Sequence, residues 1–69
     1  MRVSEAARIA RERKGVTKRT LAKRSGVHIN IIDRLERGKT DPRLSSVELL
    51  ADALGISVDE YIGHVVQKR

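Results

Sequence analysis

The 69-residue chain has no cysteine, phenylalanine or tryptophan, and only one tyrosine and one proline. Without cysteine, neither a disulfide framework nor a thiolate metal site can form, and the redox compartment stays open. A single aromatic ring provides no set of platforms for stacking unpaired RNA bases. The core must therefore come from Ala, Val, Leu and Ile, which suits closely packed helices. No apolar run approaches the roughly 20 residues of a membrane span, and residues 1–15 lack the apolar centre of a signal peptide. A cytoplasmic location without membrane attachment is expected. His28 and His64 are the only histidines and the carboxylates are scattered, so neither a metal site nor a catalytic triad assembles. No enzyme activity and no cofactor are expected. A chain of this length makes one small domain, in which a deep pocket is not expected and association often adds stability.

Positive charge is plentiful and unevenly placed. Residues 1–40 carry 12 Lys plus Arg against 4 Asp plus Glu, a net +8, while residues 41–69 carry 3 against 5, a net −2. A phosphate backbone attracts such a surface through Coulomb forces and counterion release. An anionic membrane fits less well, because the basic half lacks the bulky anchors of interfacial helices.

The basic half also holds the most informative spacing, in KRTLAKRSGVHINIIDRLERG from Lys18 to Gly38. Two short amphipathic stretches meet at Gly26, where a helix end commonly takes a left-handed conformation that glycine adopts cheaply. Ala22 is small where a second helix must cross closely. Ile32 and Leu35 form one apolar stripe, to bury against Leu21, Ala22 and Val27. Asn30, Asp33, Arg34 and Arg37 then face away. One buried side and one polar side, reached through a tight turn, is the pattern of a helix-turn-helix.

Flanking signals predict five helices in one domain over residues 1–69. The first spans about residues 4–14 and stops at Gly15. Thr17 caps a second over residues 18–25, and a third covers residues 29–37. Pro42 keeps the following loop out of helix. Ser45 and Glu48 have capping-box spacing, predicting a fourth helix over residues 45–54 with Leu44, Val47, Leu50, Ala51 and Leu54 on its core face. Ser57 and Glu60 repeat the box, predicting a last helix over residues 58–66.

Several pieces recur in a fixed order: Arg11 with Glu36, G15-V16-T17, L21-A22, G26-V27, I32, R34-L35-E36, G38-K39, P42 and L50-A51-D52-A53-L54-G55-I56-S57-V58-D59-E60. Over about residues 4 to 62 the chain resembles the Xre and Cro family of bacterial and phage helix-turn-helix repressors. The resemblance implies an all-α, compact five-helix lambda-repressor-like domain with the helix-turn-helix at helices 2 and 3. It also implies sequence-specific binding of double-stranded DNA, usually as a homodimer on an inverted repeat, and a bacterial or phage-encoded cytoplasmic protein.

On that pattern Ile29, Asn30, Asp33 and Arg34 would face the base edges. Arg34 suits O6 and N7 of guanine, and Asn30 suits N6 and N7 of adenine. Ile29 would touch a thymine methyl or pack on the domain. Asp33 would accept from a cytosine amino group, or orient Arg34 or Arg37 and disfavour wrong sequences. Phosphates would meet Thr17, Lys18, Arg19, His28, Arg37, the Gly38 backbone, Lys39 and Arg43. Arg43 has a second reading as a solvated loop residue. Arg11 and Glu36 form an expected structural ion pair.

Three positions depart from the family pattern. Lys18 replaces the usual Gln at the start of the second helix, exchanging a bidentate amide for a point charge. His28 replaces Ser or Thr as the cap of the recognition helix, either capping while neutral or touching phosphate when charged. Arg37 stands where Asn is common. The stripe of Val58, Tyr61, Ile62, Val65 and Val66 is a candidate dimer surface, its alternative being packing against the first helix near Ile9. The function these features imply is transcription regulation by major-groove reading, most simply repression. An antitoxin or other protein-interaction module is the alternative.

Overall fold

Short-range chemistry at helix ends sets the architecture. The computed structural model describes residues 3–39 and 43–63. Its helices are α1 (Val3–Arg13), α2 (Lys18–Ser25), α3 (Ile29–Glu36), α4 (Leu44–Leu54) and α5 (Val58–Ile62), with no strand among the described residues. The Thr17 hydroxyl accepts from the Thr20 amide at 3.0 Å and opens α2. Gly26 closes it at φ +77°, its amide donating to the Ala22 carbonyl at 2.9 Å. The Ser57–Glu60 capping box forms in both directions and starts α5.

Helix boundaries differ from expectation where backbone bonding outweighs a side-chain cap. At the end of α1 the Lys14 and Gly15 amides donate to Arg11 and Glu12 carbonyls at 3.1 and 2.9 Å, tightening the turn before residue 14. Arg37 is the cap of α3 rather than its last residue. The expected capping box at Ser45 does not open α4: the Arg43 carbonyl accepts the Val47 amide at 2.9 Å, and the helix starts at Leu44. That places Leu44 at the first helical position, off the core face and 66% exposed, contrary to its expected burial. α5 closes at Gly63, whose φ of +71° turns its amide back to the Asp59 and Glu60 carbonyls. The expected continuation to residue 66, with Val65 and Val66, lies outside the described residues.

Packing joins α1 to α3 and α5, α2 to α3 and α4, and α4 to α5. Leu21, Val27, Ile32, Leu35, Val47, Leu50, Leu54 and Tyr61 meet in one cluster with Ala7 and Ala51. Removing most of a fully enclosed aliphatic side chain such as Leu21 costs about 2–5 kcal/mol, a large part of what a domain this small possesses. Tyr61 is the largest fully buried side chain, at 0% exposure, and Val58 and Ile62 pack partly buried against the same cluster. Of the stripe expected either as a dimer surface or as packing against the first helix, the described members Val58, Tyr61 and Ile62 pack on the core, and α5 rests against both α1 and α4.

Candidate nucleic-acid interface

α3 is anchored on one side and bare on the other. Ile32 and Leu35 are 0% and 2% exposed, while Asn30, Arg34 and Arg37 are exposed on the opposite side. Ile29 and Ile31 flank that polar face, both partly open to solvent. A rigid helix thereby presents Asn30 and Arg34 outward without spending them on the fold.

The end of α3 is welded to α1. Arg11 donates from Nε and Nη2 to the two Glu36 carboxylate oxygens at 2.8 and 2.9 Å, and from Nη1 to the Val16 carbonyl at 2.9 Å. The side chains are 12% and 2% exposed. The Glu36 hydrogen bond raises the Arg11 pKa, opposed by burial. This fork is shielded from solvent, and it fixes the tilt of α3 rather than offering a charge to a ligand. Beside it lies the buried Tyr61 hydroxyl, which has no hydrogen-bond partner among the described residues. Burial pushes the phenol pKa up, the Glu36 charge adds to this, and Arg11 acts against it.

The start of α2 is tied to the middle of α3 by a contact that sequence reading missed. Lys18 Nζ donates to Asp33 Oδ1 at 2.6 Å, and Arg37 Nε lies 3.0 Å from Asp33 Oδ2. The sequence pattern assigns Lys18 to phosphate, and Asp33 to a base or to Arg34 or Arg37; the structure pairs the two with each other. Asp33 and Arg37 are four apart on one helix, so their pairing was legible; Lys18 is fifteen residues from Asp33, and nothing local signals that contact. The Lys18 hydrogen bond holds the Asp33 carboxyl below its usual range; burial opposes this, and Arg37 adds to it.

Other expected contacts fall into two groups. His28 caps α3, its Nδ1 accepting from the Asn30 amide at 3.1 Å. An accepting Nδ1 carries no proton, so this cap and a proton on Nδ1 for phosphate are mutually exclusive. The Thr17 hydroxyl is engaged as the α2 cap and also donates to Thr20 Oγ1 at 3.0 Å. The Gly38 amide donates to the Leu35 carbonyl at 3.1 Å, so it is not the free donor expected for a phosphate. By contrast Arg19, Arg34, Lys39 and Arg43 are exposed and have no ion-pair partner among the described residues. Among those residues no group of three or more His, Cys, Asp or Glu is placed to hold a metal ion, and no helix is long and apolar enough to cross a membrane.

The profile of the helix-turn-helix family matches residues 8–61, from the second turn of α1 to Tyr61 in α5. The chain belongs to the Xre/Cro-type helix-turn-helix family. This is a family of DNA-binding transcription regulators. The helix-turn-helix chain is also similar to a Bacillus subtilis (strain 168) protein named YazB, an uncharacterized HTH-type transcriptional regulator. The two are 38% identical over 53 residues, which make up 77% of each. The family span encloses the cross-helix ion pairs Arg11 with Glu36 and Lys18 with Asp33.

Proposed function

We propose that this helix-turn-helix protein is a sequence-specific regulator that reads double-stranded DNA with α3 in the major groove and represses by occupying its site. The observation that carries the reading is the division of α3 into a buried stripe and an exposed face bearing Asn30 and Arg34. Between Lys18 and Lys39 the chain adds seven basic residues and only two acidic ones. Arg34 is assigned to a guanine edge, Asn30 to an adenine edge and Ile29 to a thymine methyl. The cations Arg19, Lys39 and Arg43, which have no ion-pair partner among the described residues, are assigned to phosphates, which fix the position of the helix without reading sequence. Two copies acting in the cytoplasm on an inverted repeat would set their α3 helices roughly 34 Å apart. Any interface between them draws on something other than the buried Tyr61.

Selection from a pool of random duplexes, followed by light scattering of the complex, tests this. Recovery of a palindromic motif bound by two copies is the expected result. Recovery of no motif at any salt concentration would reject sequence-specific reading.

A further inference from the structure

Asp33 and Glu36 are the only acids between Lys18 and Lys39, and Glu36 is fully engaged by Arg11. Among the described residues Asp33 is therefore the one carboxylate on the exposed face of α3 proposed to meet DNA. Both of its oxygens are occupied by cations from that face: Oδ1 by Lys18 at 2.6 Å, and Oδ2 by Arg37 at 3.0 Å. Lys18 and Asp33 side chains are each 34% exposed, whereas Arg37 is 64% exposed. Solvent and salt thus screen the Lys18 bond less than the Arg37 bond. The carboxylate stands where a phosphate would have to stand to use these two cations.

Building on the DNA-binding reading, we infer that Asp33 is a specificity-determining residue, an internal competitor that withholds Lys18 and Arg37 from the backbone of unselected DNA. Binding to unselected duplex is almost wholly phosphate neutralisation, each neutralised phosphate adding about −0.9 to the slope of log affinity against log salt. A cation already matched by a fixed carboxylate adds little to that slope. To recruit Lys18, a random duplex must break the 2.6 Å bond or bring a phosphate beside Asp33, where like charges repel. On a cognate site the base contacts of Arg34 and Asn30 hold the helix with the Lys18–Asp33 pair still closed, so that cost is not incurred; on a random site phosphate contacts are all there is, and withholding two cations weakens them directly. Asp33 thereby lowers affinity for all DNA but lowers it most for the wrong DNA, which is how specificity is gained by disfavouring competitors.

A simple staple between α2 and α3 makes a different prediction, because losing it would loosen the fold and weaken all duplexes in parallel. The test measures binding of the full chain to the duplex it selects and to a random duplex, by fluorescence anisotropy from about 50 to about 200 mM salt. Asp33→Asn and Asp33→Ser are compared with the unsubstituted chain, with circular dichroism melting curves for each. Glu48→Gln, on α4, controls for the unit change in net charge. The expected result is tighter binding of random duplex by both Asp33 variants, a salt slope steeper by about one to two units, and a several-fold smaller ratio of selected to random affinity. Adding Lys18→Gln to Asp33→Asn should remove the larger part of the gain. An unchanged slope, parallel weakening on both duplexes with a lowered melting temperature, or the same gain from Glu48→Gln would overturn the inference. If the unsubstituted chain selects no sequence, the DNA-reading proposal itself falls and this inference with it; a selective chain with indifferent Asp33 variants overturns the inference alone.

Discussion

Lys18 at the first position of α2 and Asp33 in the middle of α3 are joined across the helix-turn-helix by a 2.6 Å hydrogen-bonded ion pair. The pair adds charge to the apolar cluster, with Leu21, Val27 and Ile32 among its members, that already joins the two helices. Charge also gives it a pH dependence.

Lys18, and secondarily Arg37, favour the ionised Asp33 in the folded protein and hold its pKa below the usual value. A carboxyl depressed in the fold adds stability above its unfolded pKa of about 3.9, and that contribution is lost as pH falls through the lower folded value. Thermal melts at descending pH should therefore show an acid-side loss that is smaller in Asp33→Asn. Superimposable pH profiles for the two proteins would rule out this role of the pair.

Glu36→Ala should be far more damaging than any change to Asp33. It removes both carboxylate acceptors from Arg11, whose side chain is only 12% exposed. Stranding a buried charge costs about 3 kcal/mol or more, which for a domain of this size lowers the melting temperature by more than about 10 °C. A melting curve within a degree or two of the unsubstituted protein would contradict the placement of this pair as the brace of α3.

Tyr61→Phe should do the opposite. The hydroxyl is buried without a hydrogen-bond partner among the described residues, while the ring fills the core. Removing an unpartnered buried polar group gains about 1 kcal/mol, and denaturant titration should show a higher midpoint. The raised phenol pKa means that the fold retains the proton more tightly than the unfolded chain. Its contribution is intact below the unfolded value of about 10 and is lost as pH rises beyond it, so Phe should also flatten the alkaline fall in stability. A loss of stability would mean that the hydroxyl is satisfied after all.

Gly26→Ala isolates backbone strain at the turn. A Cβ built on Gly26 meets nothing within 4 Å, so only its φ of +77° opposes the substitution. The left-handed conformation costs a non-glycine residue about 1 kcal/mol, and equilibrium unfolding should show a loss of that size with DNA selectivity retained. A loss several times larger would require a steric clash that the structure does not contain.

The sequence made the helices legible because their ends are local. A Thr or Ser side chain reaches an amide three residues ahead, and Gly26 answers a positive φ, so Thr17, Gly26 and Ser57 announce helix boundaries without knowledge of the fold. The polar face of α3 was legible for a similar reason, since Ile32 and Leu35 define the side that must be buried. Tyr61 keeps two readings in the sequence, dimer surface or packing on the first helix, because periodicity shows that α5 has an apolar face but not what covers it; in the fold α1 and α4 do. Burial of Leu44 is not legible because it depends on where α4 starts, and the backbone bond from Val47 to Arg43 sets that start one residue ahead of the serine expected to cap it. The bond from Lys18 to Asp33 was invisible because the turn at Gly26 brings distant positions together, a relation that no short spacing encodes.

Reading of base edges by α3 is tested most directly by measuring Arg34→Ala against a selected duplex and all its single-base variants, beside Lys39→Ala. Arg34→Ala should cost roughly 1–3 kcal/mol and relax discrimination at one base position. Lys39→Ala should weaken every duplex alike and reduce the salt slope by about one. If Arg34→Ala instead weakened all duplexes uniformly and left every base preference intact, α3 would not be reading sequence through Arg34, and the proposed division between base and phosphate contacts would be wrong.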